Sequence, residues 1–326
     1  MQKKFLQILA AILMLVNFSV AAAAEVWTLP ESGLKLEGAA KQNYIAEKMN
    51  ALYHPTPDFK NELLNFEVPE SWILEKLYLN GLNVECLTNP NGDENRIALY
   101  IHGGGFVLPL DDGHRNFAMK LGILANAFQI YFPDYKIAPK NIHPAALEDV
   151  FAAYQLLLIR NIPAENIIIF GDSAGGNLAL ELSLYLKEKN LPQPKALILI
   201  SPWATMENRL PSRNYNAEKD LILGKSSPFF ESVKKPDYAK GYSLKNPMLS
   251  PIYADLKNLP PMLIQAGGYE IFLDECLELK KKAEADKVNV TLTVYPEMSH
   301  DFPLLLPELQ ESVDSFKEIQ DFINAL

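Results

Sequence analysis

Only two cysteines and five histidines occur in the 326 residues, and that scarcity removes several chemistries at once. There is no His-Glu-x-x-His and no cysteine cluster, so the spacings that hold zinc are missing and no metal is expected. A Gly-x-x-x-x-Gly-Lys phosphate loop is also absent, and no cofactor is expected. Positive charge is short as well: 30 Lys and Arg stand against 40 Asp and Glu, a formal charge of −10. Nucleic acid or an anionic membrane surface calls for basic patches, so neither is an expected partner. Repeats and low-complexity tracts are missing, and proline and glycine are spread rather than clustered. With so few cysteines, Cys86 on an expected strand and Cys276 on an expected helix read as two buried thiols, although an oxidising compartment would permit a disulfide.

One long apolar run does exist, at the start. Lys3 and Lys4 lead into apolar residues from Phe5 to about Val16, ending in Ala21-Ala22-Ala23-Ala24. That is the pattern of a secretory signal peptide over residues 1–24, too short for a comfortable membrane span. The chain is therefore expected to be exported to a periplasmic or extracellular compartment, with no stable membrane insertion of the mature part. The whole chain is 48% hydrophobic, and the remainder is long enough for one large α/β domain.

The stretch that organises this domain is Phe170-Gly171-Asp172-Ser173-Ala174-Gly175-Gly176-Asn177. Residues 166–170 read Asn-Ile-Ile-Ile-Phe, apolar on both faces, as in a buried parallel strand. Helical spacing begins at Leu178. A strand turning into a helix within two residues leaves no room for side chains two positions before and after the corner, and Gly171 and Gly175 stand there. This is the Gly-x-Ser-x-Gly nucleophile elbow, which exposes the Ser173 hydroxyl and aims helix N–H groups at developing negative charge.

Upstream, residues 72–79 and 82–88 alternate like paired strands around an Asn80-Gly81 turn, and 96–101 read as another strand. His102-Gly103-Gly104-Gly105-Phe106 follows at once. Glycines in a row leave backbone N–H groups unobstructed, so Gly103 and Gly104, with Ala174, are expected to form an oxyanion hole. Asp172, next to the nucleophile, is expected to point elsewhere in a hydrogen-bonded supporting role. Strands are further expected at 195–200, 261–266 and 288–295, with a terminal helix over 307–326. Residues 27–66 are amphipathic and helix-like, interrupted by Pro55 and Pro57, while 204–259 are mixed with few buried runs; about 25–70 and about 204–259 are expected to form a cap. Of its aromatics, Phe229, Phe230, Tyr238 and Tyr242 suit either an acyl pocket or the cap's own core.

His-Gly-Gly-Gly-Phe and Gly-Asp-Ser-Ala-Gly-Gly-Asn, with Asp134-Tyr135-Lys136-Ile137-Ala138-Pro139 between them, together resemble the hormone-sensitive-lipase-like esterases of the α/β-hydrolase class. The resemblance spans roughly residues 96–303. It implies a mostly parallel eight-stranded sheet with helices on both faces, a helical cap, and a small-molecule ester as substrate. It also implies that His102 supports the oxyanion loop. In that family a stretch Asp-Pro-Leu-x-Asp-Glu carries the triad acid in its first carboxylate; the position falls on Glu270 here, with Asp274 as the other candidate. Asp274 and Glu275 also suit a helix N-terminus. Where the family has His-Gly-Phe, this chain reads His300-Asp301-Phe302, a change expected to alter the loop or the base's pKa. Lys140 stands where the family usually has a glutamate.

The general base follows by elimination. His54 lies in the N-terminal segment, His114 opens a helix where a solvated site is expected, and His143 sits in a turn. His300 alone follows the last strand, in the order Ser, acid, His that this class uses. The expected activity is hydrolysis of short- to medium-chain acyl esters through Ser173, Glu270 and His300. A deacetylase, lactonase or amidase on a specialised substrate would use the same site, and a non-catalytic ligand-binding protein on this fold is the remaining alternative.

Overall fold

The computed structural model describes residues 26–56 and 65–326; the expected signal peptide lies outside the described residues. Eight strands form one sheet in the order β1-β2-β4-β3-β5-β6-β7-β8: β1 Ile73–Leu79, β2 Leu82–Thr88, β3 Asp93–Ile101, β4 Ala127–Asp134, β5 Ile167–Asp172, β6 Ala196–Ile200, β7 Met262–Gly267 and β8 Val290–Tyr295. The β1–β2 hairpin turns at Asn80-Gly81, and β2 also pairs antiparallel with β4. From β4 through β3 to β8 every pairing is parallel.

Pleating explains why these strands are apolar throughout. Ile97, Leu99, Ile101, Ile167, Ile169, Leu197 and Leu199 point into one core, while Ala98, Tyr100, Ile168, Phe170, Ile198 and Ile200 point into another on the opposite face. Each face is covered by helices, as a parallel sheet requires. Strand β3 begins three residues earlier than the sequence suggested, because Asp93 pairs with Ala127 across a register shift.

The helices are α1 Gly38–Tyr53, α2 Asp112–Leu124, α3 Ala145–Ile159, α4 Ser173–Glu188, α5 Ser212–Tyr215, α6 Phe230–Lys234, α7 Leu273–Ala285, α8 Phe302–Leu305 and α9 Gln310–Asn324. The C-terminal helix starts at Gln310 rather than Pro307, since Pro307 and Glu308 form a turn and the extended Leu309 bridges Leu34. Of the N-terminal segment read as helical, α1 is the helix. It packs Ile45 and Met49 against Ile222, Met298 and Phe302, and Tyr53 donates its hydroxyl to the Ile222 carbonyl at 2.7 Å. The two cap segments thereby meet over the C-terminal edge of the sheet.

Candidate active site

Ser173 stands where β5 becomes α4, with φ +50°. That left-handed corner is costly for a non-glycine residue, and two glycines make it possible. A methyl on Gly171 would lie 2.4 Å from the Gly175 carbonyl oxygen, and one on Gly175 would lie 1.9 Å from that of Ile101. Asn177 ties the elbow to the cap by donating to the carbonyls of Trp203 at 2.6 Å and Leu249 at 3.1 Å.

His300, in the loop after β8, brings Nε2 to 2.9 Å from the Ser173 hydroxyl oxygen. On its far side Nδ1 lies 3.6 Å from Oε2 of Glu270, and neither atom has another hydrogen-bond partner. The contact is longer than a hydrogen bond, in the loose range common before substrate binds. The other Glu270 oxygen lies 3.5 Å from the Cys276 thiol, which can donate to it. Cys86 and Cys276 are both buried and free. Asp274, the alternative acid, is not brought to His300: it accepts from the Ser212 N–H at 2.8 Å and the Tyr215 hydroxyl at 3.0 Å. Those bonds tie α7 to the cap.

A cavity of about 310 Å³ opens over Ser173. Its roof comes from Leu52 and Tyr53 of the N-terminal cap segment and Ile222, Leu223 and Phe229 of the second. Of the cap aromatics weighed from the sequence, Phe229 lines the cavity, Tyr238 is core stacked on Phe106 at 4.2 Å, and Tyr242 is exposed. Gly104 and Gly105 line the cavity, with φ +91° and +62°. Gly103, the other glycine expected to donate, is not among the residues lining the cavity, and a methyl there would lie 2.1 Å from Oδ2 of Asp172. Among the described residues, no acceptor takes the N–H of Gly104 or Gly105.

His102 braces this loop. Its Nδ1 lies 2.9 Å from the Gly103 carbonyl oxygen, and the ring stacks on Tyr135 at 4.1 Å. Burial, helped by the neighbouring His114 charge, pushes it down to about 3, so it is a neutral imidazole that donates from Nδ1. Asp172 accepts from the Tyr100 hydroxyl at 2.6 Å, but it also lines the cavity rather than pointing away. His114, expected to be solvated, is buried against the cavity with Nδ1 at 2.7 Å from Asp111. Burial would lower it, but the Asp111 hydrogen bond and then the Asp172 charge outweigh that and raise it.

Three residues that the sequence did not mark set the loops. Asp220, wholly buried, accepts from Ile222 and Leu223 N–H at 3.1 Å with Oδ1 and from Ile271 N–H at 2.9 Å with Oδ2. Asn216 donates to the carbonyls of Gly268 and Glu270, and Arg213 pairs with Glu275 at 2.5 Å. Lone polar residues in a stretch without periodicity carry no motif, so nothing in the sequence singled them out. Among the described residues, no group of three or more His, Cys, Asp or Glu side chains could hold a metal ion.

A serine at a strained strand–helix corner, an imidazole within reach of its hydroxyl and two glycines lining the same cavity suit a hydrolase of carboxylic esters. Comparison with known proteins agrees. Residues 98–304 match the α/β-hydrolase fold family, and the chain belongs to that family, in its hormone-sensitive-lipase-like esterase branch. It is 33% identical over 231 residues to an esterase of Acinetobacter venetianus, covering 71% of this chain and 75% of that one. An acetyl-hydrolase of Streptomyces hygroscopicus is 32% identical over 222 residues, 68% of this chain and 73% of that protein. The crystal structure of an esterase from the bacterial hormone-sensitive lipase family superposes with a TM-score of 0.78 at 29% identity, covering 89% of this chain and 99% of that one.

Proposed function

We propose that the protein is a serine carboxylesterase for short- to medium-chain acyl esters, with Ser173 as nucleophile, His300 as general base and Glu270 as the acid that orients it. The observation that carries this reading is the 2.9 Å approach of His300 Nε2 to the Ser173 hydroxyl at the floor of an apolar-walled cavity. His300 takes the Ser173 proton as the hydroxyl attacks the ester carbonyl. Glu270 faces Nδ1, favouring the tautomer that leaves Nε2 free to accept and stabilising the imidazolium that forms. The tetrahedral oxyanion rests on the N–H groups of Gly104, Gly105 and Ala174, the last at the α4 N-terminus. His300 then protonates the leaving alcohol, and water, activated by the same imidazole, releases the acid.

A cavity of about 310 Å³ sits at the small end of ligand sites, which supports compact acyl esters over long lipid chains. The acetyl-hydrolase relative supports acetyl esters as one such class. Export to a periplasmic or extracellular compartment belongs to the same reading and rests on the N-terminal sequence pattern; N-terminal sequencing of the mature protein checks for cleavage after Ala24.

The test is hydrolysis of p-nitrophenyl esters from acetate to palmitate. Turnover should peak at short to medium chains and fall roughly 10⁶-fold in Ser173→Ala. Glu270→Gln should lose about 10⁴-fold in kcat, whereas Asp274→Asn should keep kcat within a few-fold. Undiminished turnover by Ser173→Ala would overturn the reading.

A further inference from the structure

Nε2 of His300 has two suitors. One is the Ser173 hydroxyl at 2.9 Å; the other is Oδ2 of Asp301 at 3.1 Å. Asp301 reaches it because its backbone is left-handed, φ +48°, a conformation aspartate adopts more readily than most residues. This geometry turns the carboxylate back to Nε2 of its own neighbour. The loop is pinned there by Asp301 N–H donating to the Ser201 hydroxyl at 3.1 Å. Asp301 is buried and lines the cavity, and its second oxygen, Oδ1, has no hydrogen-bond partner.

A ring nitrogen has one in-plane direction, used either by a proton or by a lone pair. To activate Ser173, Nε2 must offer the lone pair. To bond an ionised Asp301, it must carry the proton. The two contacts are therefore alternatives, and a buried carboxylate with no other hydrogen-bond partner for its side chain is a strong competitor.

We propose that Asp301 is a positioning residue that competes with Ser173 for Nε2 of His300, so that the base is released for catalysis only when the proton shared along the Nε2–Oδ2 line is lost. This inference rests on the reading of His300 as the base.

Every charged group facing the pair bears on that proton. Glu270, on the loop after β7, faces Nδ1. Asp172, at the end of β5, and His114, on α2, act on Asp301 and its surroundings by charge. Asp220, in the cap, accepts weakly from the His300 N–H at 3.4 Å. Burial alone would push His300 down, but Asp301, by charge and hydrogen bond, and then Glu270 hold it well above the usual imidazole range. Burial pushes Asp301 up to about 7, against the His300 charge. Whether the proton sits on nitrogen or oxygen, the bonded pair withholds the lone pair from Ser173. Release comes with rising pH, so the acidic limb of the kcat/KM profile should lie above that of an esterase base with one carboxylate neighbour.

The experiment measures kcat/KM against pH with p-nitrophenyl acetate for wild type, Asp301→Asn and Asp301→Gly, with Ser173→Ala as the blank. Asparagine keeps the volume and the left-handed backbone, and glycine frees both. The acidic limb should move down by about one to three pH units in both variants, the effect of removing one close opposite charge. Loss of rate with an unmoved midpoint in folded variants would mean a structural role only and would overturn the proposal. In parallel, ring-nitrogen NMR titration of the Ser173→Ala protein with and without Asp301→Asn, with His300 assigned from His300→Gln, should give the same shift. An unmoved His300 titration overturns the proposal even where p-nitrophenyl acetate is not turned over. Absence of Ser173-dependent turnover in wild type would instead count against the esterase reading, with the titration still deciding the role of Asp301.

Discussion

At the scale of single residues, the elbow shows how little freedom the site has. Gly175 is hemmed in by backbone: a methyl there would meet the Ile101 oxygen at 1.9 Å and the His102 oxygen at 2.6 Å. Neither atom can yield without moving the end of β3 and the glycine loop after it. Gly175→Ala is therefore expected to displace the oxyanion donors and cost at least about 100-fold in kcat, the scale of an ångström misplacement, together with a lower Tm. Steady-state kinetics and a thermal melt check this; unchanged values for both would show that the helix can shift freely. The same steric logic made Ser173 legible in the sequence, because the corner dictates which residues can flank it. His300 was legible through chain order. The contact between Asp301 and Nε2 was not, since it depends on a backbone angle at one residue. The exchange of Gly105 for Gly103 at the cavity wall was hidden for a similar reason: three identical residues in a row do not reveal which of them turns toward the site.

At the scale of elements, the sheet was legible and the cap was not. Buried strands of β-branched residues and an Asn80-Gly81 turn announce themselves through period and turn chemistry. The first cap segment carries the 16-residue α1, but the second is built from helices of four and five residues, α5 and α6, too short to show any periodicity. Its order comes from buried polar contacts such as those of Asp220 and Asn216. Those contacts hold a roof whose apolar members set the cavity's depth. Phe229 meets Tyr53 edge-on at 6.2 Å, so one ring from each cap segment closes the space above Ser173. Phe229→Ala should deepen the cavity and favour longer acyl chains. The ratio of kcat/KM for octanoate over acetate is expected to rise about tenfold, the lower range for one added methylene in an apolar pocket. A panel of p-nitrophenyl esters reads this directly, and a uniform loss across chain lengths would assign Phe229 to cap folding instead.

At the scale of the whole molecule, two populations of acids pull stability in opposite directions with pH. Glu308 at the surface is held low by Lys48 and Tyr44 against its partial burial, and Asp111 is drawn down to about 2 by His114. A depressed carboxylate adds stability above its unfolded pKa that is lost as pH falls through the folded value. Interior acids behave the other way. Burial raises Asp172, Asp220 and Glu181, and pushes Glu275 up to about 7 against Arg213. Each then binds a proton more tightly folded than unfolded, so its contribution is full below the unfolded pKa and is lost as pH rises through the folded one. Glu181 is the purest case: it lies fully buried on the nucleophile helix, neither oxygen has a hydrogen-bond partner, and the nearest imidazole, His143 Nδ1, is 3.7 Å away. Burial lowers His143 to about 4, so it supplies no positive charge near neutrality. Tm is therefore expected to be highest on the acid side of neutral and to decline toward pH 9. Glu181→Gln removes the charge that must otherwise form in the interior while keeping the shape. Its Tm should match wild type near pH 5 and exceed it by several degrees at pH 9, flattening the alkaline decline. A parallel fall in both proteins would move the cause from Glu181 to the acids around the active site.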